Sequence, residues 1–223
     1  MSLKPIHLYT HAGGPNPWKL AILLSTLQIP YTQTFVPFSD IKKPEYLAIC
    51  PNGRVPAIVD PNTNVTMWES GAIMEYLVET YDKEGEYWVK EGGERWVGKS
   101  WLFFQMSGQG PYFGQAIWFT RYHSEKIDSA KLRYINEIYR VFSVLDTALE
   151  GKSYLVAEKC TIADLSFIPW NYHILRLEGV DVAMVEKSYP RFWEWHHRLL
   201  EREAVKKVMS EREGIMAEEA RGK

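Results

Sequence analysis

Residues 52–59 have the sequence NGRVPAIV, and residues 68–73 have the sequence WESGAI. The apolar run that begins at Val55-Pro56 predicts a short β-strand, because proline is tolerated where a strand starts and one N–H is missing. The second segment predicts a helix from Ser70 to Tyr81, with apolar residues at helical spacing. A helix start with a serine offers a hydroxyl and backbone N–H groups, which favour a bound carboxylate. Together the two segments predict a site for an extended, negatively charged peptide.

Composition limits the possible partners of the chain. Its 223 residues are 46% hydrophobic, which is enough for a substantial core, and the formal net charge of −2 argues against nucleic acid or an anionic membrane as a partner. Cys50 and Cys160 lack CxxC spacing, so we expect neither a disulfide framework nor a metal site. The first residues lack the apolar core of a signal peptide, and no apolar run reaches the length of a membrane span. We therefore expect a cytoplasmic protein.

Residues 1–82 alternate between strand and helix patterns, which predicts an α/β domain with a thioredoxin-like arrangement. The predicted elements are a strand at 6–9, a helix from about Asn16 that Pro30 stops, a strand at 31–36, a short helix at 44–47, a hairpin of 55–59 with 65–67, and the helix at 70–81. The charged, glycine-containing residues 83–92 predict a linker.

Residues 93–223 show only helical periodicity, so we predict an all-helical second domain. Helices are expected at 95–106, at 126–149, in one buried element after Thr161, and from Tyr189-Pro190 to Leu200. Pro111 predicts a bend or an interruption, because it cannot donate to the carbonyl four residues earlier. The charged tail after Ser210 is expected to be a frayed helix or disordered.

The segment from Thr161 to Asp164 has the pattern of a capping box. Asp164 is therefore interpreted as a structural carboxylate rather than a catalytic one. The histidines of this half show no metal-ligand spacing and are interpreted as structural or surface groups; they are His123, His173, His196 and His197.

The chain resembles cytosolic glutathione transferases. The resemblance rests on the pattern NxRVPAxxD at 52–60, on WESxAI at 68–73, on TIAD at 161–164, and on the C-terminal YPxFxxW at 189–195. PNPWK at 15–19, WLFFQMSGQGP at 101–111 and ADLSFIPWN at 163–171 are similar to the fungal branch related to the yeast nitrogen regulator and prion protein. A bacterial group of similar proteins shares the first of these three. The resemblance implies a thioredoxin-like domain, an all-helical domain, a homodimer and glutathione as co-substrate.

The resemblance also implies where the glutathione thiol is activated. Other branches use a Tyr, Ser or Cys near the first strand–helix junction, but this chain has Gly13-Gly14 where a serine is expected. In the fungal branch an Asn at the position of Asn16 contacts the sulfur, and an amide can donate a hydrogen bond although it cannot serve as a base. The alternatives are that Asn16 only caps its helix, and that Tyr9, at the end of the first strand, is the donor. Tyr9 can equally be a core aromatic residue.

The remaining glutathione contacts are predicted at the two segments first described. Glu69 is expected to bind the γ-glutamyl ammonium and Ser70 the carboxylate, unless they form an ordinary helix cap. The Val55 backbone is expected to pair with the cysteinyl peptide. Arg54 is either a contact or a surface residue. The glycyl carboxylate needs a cation, for which Lys42 and Lys43 are the candidates.

Aromatic residues near the first strand and around the predicted bend are candidates for an apolar electrophile pocket, although most of them are expected to be core. They are Tyr9, Phe104, Tyr112, Phe113, Trp118 and Tyr122.

Three functions are consistent with this sequence. The first is a glutathione transferase whose thiolate attacks an electrophile or reduces an organic peroxide, in detoxification for example. The second is a glutathione-dependent disulfide-bond reductase, and the third is a non-enzymatic protein that binds glutathione or an apolar ligand in a regulatory role.

Overall fold

A computed structural model describes residues 2–221 and divides the chain into two compact units. The first, the sheet unit, contains the residues up to Glu84 together with those from Glu201 onward. The second, the helical unit, spans Gly85–Leu200. The predicted combination of a thioredoxin-like domain with an all-helical domain is confirmed. The boundaries 1–82, 83–92 and 93–223 stay a prediction, and the contact-based units differ from them at the C-terminal segment.

The sheet unit is built on a mixed sheet with strand order β2-β1-β3-β4. Strand β1 (Ile6–Thr10) pairs in parallel with β2 (Tyr31–Phe35) and antiparallel with β3 (Ala57–Asp60), which pairs antiparallel with β4 (Val65–Trp68). Its helices are α1 (Pro15–Thr26), α2 (Pro44–Leu47) and α3 (Ser70–Tyr81). Helices α1 and α3 pack against each other.

Strand directions bring three chain segments to one edge of this sheet, by which we mean the edge formed by the carboxyl ends of β1 and β4. Strand β4 runs in the same direction as β1, because each of them is antiparallel to β3. Helices α1 and α3 follow β1 and β4, so both begin at the same edge. Strand β3 starts at that edge too, since Ala57 pairs with Tyr9 and with Trp68. The predicted strand at 55–59 is therefore shorter than expected, and Val55 precedes the first ladder pair.

The C-terminal tail is an ordered helix, so the expectation of a frayed or disordered tail after Ser210 is wrong. Helix α11 (Glu203–Arg221) packs against α1 within the sheet unit. Gln33 Nε2 donates a hydrogen bond of 3.0 Å to Glu211, and burial together with Glu211 raises the pKa of Tyr31 to about 12. Val205 and Val208 before the tail are buried, and within the tail Arg212 is buried and Ile215 and Met216 are half-buried. The tail was misjudged because its charged composition hides the narrow apolar stripe.

Asp60 links the β3–β4 hairpin to α3 through hydrogen bonds. Its carboxylate is fully enclosed and accepts hydrogen bonds from the Tyr76 hydroxyl at 2.7 Å, from the Tyr81 hydroxyl, and from the backbone N–H and side-chain amide of Asn62 at 2.8 and 2.9 Å. Burial acts to raise the pKa of Asp60, but the hydrogen bonds from Tyr81, Tyr76 and Asn62 outweigh it and leave the pKa below its ordinary value. The last residues of β3 and two turns of α3 are thereby held together.

The helical unit contains α4 to α10, and two of its helices continue through π-helical turns. Its helices are α4 (Gly93–Phe104), α5 (Gly110–Ile117), α6 (Asp128–Ala148), α7 (Ile162–Leu165), α8 (Ile168–Ile174), α9 (Val182–Ser188) and α10 (Pro190–Leu200). Gln105–Gln109 forms the π-helical turn between α4 and α5, where an interruption was predicted, and Trp118–Tyr122 forms another after α5. The single element predicted after Thr161 is two helices, and α9 was not predicted.

Asp164 is the structural carboxylate that the sequence predicted. The Thr161–Asp164 capping box is present, and Asp164 also accepts hydrogen bonds of 3.0 Å from the Leu155 N–H and 2.9 Å from Trp195 Nε1. Burial raises the pKa of Asp164, although these bonds oppose the shift. The carboxylate therefore joins the start of α7, the preceding loop and α10 inside the core of the helical unit.

We predict that Asp60→Ala lowers the free energy of unfolding by about 3 kcal/mol near neutral pH, because it removes the acceptor shared by the half-buried Tyr76 and Tyr81 hydroxyls and by Asn62. Tyr76→Phe, which removes one of these donors, is the matched control and should cost about 1 kcal/mol. Urea denaturation measures both.

The loss in free energy of unfolding caused by Asp60→Ala should depend on pH. A carboxyl group whose pKa is lower in the folded chain contributes stability above its unfolded pKa, and this contribution is lost as the pH falls through the folded pKa. The difference between wild type and Asp60→Ala should therefore shrink below about pH 4. An undiminished difference in acid would contradict this account.

Candidate functional site

The sheet edge described above collects the starts of α1, β3 and α3, and with them most of the predicted site residues. Asn16 is the second residue of α1, Val55 immediately precedes the cis bond to Pro56, and Ser70 is the first residue of α3. Neither α1 nor α3 has an acidic residue in its first turn. The partial positive charge of each helix start is therefore not offset within its own first turn, and both favour an anion.

The loop that leads into Asn16 passes close to Val55 at Gly14. Trp18 is fully buried, and its Nε1 donates a hydrogen bond of 3.0 Å to the Ala12 carbonyl, which pins the loop onto its own helix. A Cβ placed on Gly14 would lie 3.9 Å from Cγ2 of Val55. Asn16 and Val55 are both half-buried.

Glu69 and Ser70 differ sharply in their surroundings. Glu69 is exposed, while Ser70 keeps only 3% of its surface exposed. The backbone of Glu69 has φ 71°, which non-glycine residues rarely adopt, and such strain concentrates at functional sites. Asn52 Nδ2 donates a long hydrogen bond of 3.4 Å to the Glu69 carboxylate. The carboxylate of Glu69 therefore stands at the surface beside the start of α3, where a ligand ammonium can reach it.

The two lysine candidates for the glycyl carboxylate are in different positions. Lys42 Nζ donates a hydrogen bond of 2.8 Å to the Asn52 carbonyl, so its ammonium lies over the turn that leads to Val55. Lys43 instead pairs with Asp40 at 2.7 Å, and this bond raises the pKa of Lys43. Arg54 is exposed, and its carbonyl accepts a hydrogen bond of 2.8 Å from the Tyr46 hydroxyl. Of the two lysines, Lys42 is the one placed toward the site.

Lys19 is a further charged residue near the site, and the sequence reasoning assigned it no role. Its side chain is 1% exposed, and Nζ donates a hydrogen bond of 3.3 Å to Ser70 Oγ. Burial lowers the pKa of Lys19 well below its ordinary value, and Glu69 opposes that shift. The signal available in the sequence was a lysine within the otherwise apolar first helix.

Tyr9 packs in an apolar cluster of the sheet unit. Its ring centroid lies 5.8 Å from that of Tyr46 and 4.6 Å from that of His7. The cluster also contains Val36, Cys50 and Ala57. This environment matches the core-aromatic interpretation of Tyr9, because its neighbours are rings and aliphatic groups.

The predicted pocket aromatics of the helical unit have unequal exposure. Phe113 is fully buried against Phe142, with a centroid distance of 5.8 Å, so its assignment to the pocket is corrected to a core position. Phe104 and Tyr112 are half-buried, and the exposed fractions of Trp118 and Tyr122 are 48% and 65%. For these four, a role in an electrophile pocket stays a prediction.

The described residues contain no cluster of three or more His, Cys, Asp or Glu side chains that could hold a metal ion. None of the helices between residues 2 and 221 is both long and apolar enough to cross a membrane. His196 is buried, and burial together with His197 and Arg176 lowers its pKa to about 3. His196 is therefore a neutral core residue near pH 7, as the structural interpretation expected.

The amino-acid sequences of both units match models of one known protein family. Residues 4–79 match the family model for the glutathione S-transferase N-terminal domain, and residues 110–203 match that for the C-terminal domain. The chain belongs to the glutathione S-transferase family, as the resemblance implied.

Known proteins of this family are similar over nearly the whole chain. Glutathione S-transferase 2 of Schizosaccharomyces pombe is 46% identical over 92% of this chain and 94% of its own. The glutathione transferase URE2P6 of Phanerochaete chrysosporium, solved with oxidized glutathione, is 46% identical with a TM-score of 0.91, covering 95% of this chain and 98% of its own. Ure2p5 of the same organism, cocrystallized with 1-(S-glutathionyl)-2,4-dinitrobenzene, is 38% identical with a TM-score of 0.87, covering 96% and 97%.

We predict that Glu69→Gly stabilises the protein by about 1 kcal/mol, because glycine adopts the observed positive φ without steric cost. Glu69→Gln is the matched control: it keeps the strained backbone and removes only the charge, so its stability should change by less than about 0.5 kcal/mol. Thermal and urea denaturation compare the two. A glycine variant less stable than the glutamine variant would contradict the assignment of strain to this residue.

Proposed function

We propose that this protein is a glutathione transferase in which glutathione is bound at the sheet edge and its thiolate attacks an electrophile. The observation that carries the proposal is the meeting of the starts of α1, β3 and α3, which places Asn16, the Val55 backbone and Glu69-Ser70 at one edge. Family membership and the glutathione conjugate held by Ure2p5 support it. Organic peroxides are a second class of acceptor for the same thiolate.

Each group of glutathione has a partner in this proposal. The cysteinyl peptide unit pairs with the Val55 backbone, since this residue precedes the β3 ladder and is half-buried. The γ-glutamyl carboxylate takes the start of α3 with the Ser70 hydroxyl, and the γ-glutamyl ammonium takes Glu69. The glycyl carboxylate takes Lys42, because Lys43 is engaged with Asp40. No metal is needed for these contacts.

The thiolate is stabilised by an amide. A thiol with an ordinary pKa of about 8.5 is mostly protonated at pH 7. A hydrogen bond to a charged acceptor contributes about 1.5–3 kcal/mol, which corresponds to about one or two pKa units. The start of α1 adds about 0.3–1 kcal/mol. Together, hydrogen bonding from Asn16 and the field of α1 would lower the thiol pKa from about 8.5 to between about 5.6 and about 7.2, which ionises from about two fifths to nearly all of the bound thiol at pH 7.

A second candidate is reduction of mixed disulfides with glutathione. Its support is that the similar URE2P6 was solved with oxidized glutathione. In this reaction the thiolate attacks a disulfide sulfur, so the same Asn16 contact activates it. Turnover of a chlorinated nitroaromatic, a hydroperoxide and a mixed disulfide separates the two activities, and glutathione binding without any turnover indicates a non-enzymatic binding protein.

We predict that Asn16→Ala lowers turnover of a chlorinated nitroaromatic about 10- to 100-fold and raises the pKa of the bound thiol by about one or two units. Tyr9→Phe, the matched control, should remain within about twofold of wild type. Thiolate absorbance against pH measures the pKa, and initial rates measure turnover. Loss of activity in Tyr9→Phe alone would transfer the role to Tyr9.

We further infer that the protein is a cytoplasmic homodimer. Trp96 and Phe103 on α4 are 65% and 64% exposed, and their spacing of seven residues places them on one side of the helix. Two large apolar side chains on one exposed face favour an interface with a second copy.

We predict that replacing both Trp96 and Phe103 with Glu halves the apparent mass, because the change puts charges into the interface. Leu132→Glu on α6 is the control: Leu132 is 61% exposed but lies on a different helix, so this variant should keep the mass of the wild type. Light scattering after gel filtration measures the mass. A monomeric wild type would contradict the inference.

A further inference from the structure

The turn at residues 50–53 lies between two charged groups that the proposed function assigns to opposite ends of glutathione. Lys42 Nζ donates a hydrogen bond of 2.8 Å to the Asn52 carbonyl, and Asn52 Nδ2 donates one of 3.4 Å to Glu69 Oε1. The Lys42 ammonium and the Glu69 carboxylate are therefore connected through Asn52, a residue to which the function above gives no role.

Close packing fixes the backbone of this turn. The Gly53 N–H donates a hydrogen bond of 2.8 Å to the Cys50 carbonyl. Gly53 has φ 57°, and a Cβ there would lie 2.6 Å from the Ile41 carbonyl oxygen and 2.8 Å from Cδ of Lys42. Only a residue without a side chain fits beneath the segment that carries Lys42. Because the backbone of the turn is fixed in this way, the Asn52 side chain starts from a defined place.

The hydrogen bond between Asn52 and Glu69 orients the carboxylate and leaves it able to bind a ligand. An ionised carboxylate only accepts hydrogen bonds and has about four acceptor sites, so it can accept from the Asn52 amide and from an ammonium together. Both side chains are exposed. An exposed side chain that is already held in place loses less rotamer freedom on binding, which improves Kd by about two- to tenfold.

We propose that Asn52 is a positioning residue that orients the Glu69 carboxylate toward the α-ammonium of the γ-glutamyl group, and so gives the site a preference for thiols that carry this ammonium. The inference rests on the proposed function. Asn52 acts through Glu69 and has no contact with the thiol in this proposal. Its substitution should therefore weaken binding of the ammonium end and leave both the glycyl end and the thiol chemistry unchanged.

The test removes one amide from the protein and one charged group at a time from the ligand. Asn52→Ala removes the donor to Glu69 and keeps the backbone carbonyl that Lys42 contacts. Calorimetry measures the Kd of glutathione, of glutaryl-cysteinylglycine, which lacks only the α-ammonium, and of γ-glutamyl-cysteinylglycinamide, which lacks only the glycyl carboxylate. We expect Asn52→Ala to weaken glutathione and the glycinamide about fivefold each, and to change glutaryl-cysteinylglycine by less than about twofold.

A double substitution and a distant control make the test specific. In a Glu69→Gln background, adding Asn52→Ala should change the Kd of glutathione by less than about twofold, because the carboxylate through which Asn52 acts is absent. Asn136→Ala, at an exposed asparagine of α6, should bind all three ligands as wild type does. With a chlorinated nitroaromatic, the KM for glutathione should rise about fivefold in Asn52→Ala while kcat stays within about twofold.

Equal weakening of glutathione and glutaryl-cysteinylglycine by Asn52→Ala would overturn the inference, because a purely structural role of the turn affects both ligands alike. An unchanged Kd for glutathione, or a loss that persists in the Glu69→Gln background, would overturn it as well. If the wild type itself does not bind glutathione, the proposed function fails. That outcome is distinct from a wild type that binds glutathione and an Asn52→Ala variant that binds it equally well.

Discussion

The packing of α1 against α3 on the sheet is the constraint on which the rest of the site depends. Both helices begin at one edge because β1 and β4 run in the same direction, and the Lys19–Ser70 hydrogen bond joins them. A thiolate at the start of α1 and a carboxylate at the start of α3 can then belong to one peptide. Either helix start alone favours any small anion, and the proposed glutathione site uses both of them.

Buried carboxylates hold this arrangement in place. Asp60 joins the end of β3 to Tyr76 and Tyr81 of α3, which fixes the direction in which α3 presents Ser70. Asp164 performs a comparable structural role inside the helical unit, where it joins the start of α7 to α10. Each carboxylate accepts several hydrogen bonds, and this is the condition under which a buried charge is tolerated. Burial and a carboxyl group are therefore not sufficient to indicate catalysis in this protein.

The proposed chemistry follows from the use of an amide in place of a hydroxyl. The loop before α1 has glycines where a hydroxyl residue would stand, so the half-buried Asn16 side chain and the field of α1 are the stabilising groups at hand. An amide stabilises an anion without accepting its proton, which must leave to solvent or to another base. Tyr9, whose ring packs with Tyr46, contributes to the core beneath the site.

The sequence by itself determined the family, the fold class, the bounds of α2 and α3, and the capping box at Thr161, because these depend on local patterns of proline, caps and apolar spacing. It misjudged the tail, whose charged residues conceal the half-buried positions of a helix that packs against α1, and it left Phe113 among the pocket candidates although the residue is core. Only the tertiary structure showed that Lys42 bonds to the Asn52 carbonyl whereas Lys43 pairs with Asp40. It alone also showed the hydrogen bond from Lys19 to Ser70. These outcomes depend on contacts between residues far apart in the chain, or on which way a side chain turns, and neither has a signature in local sequence.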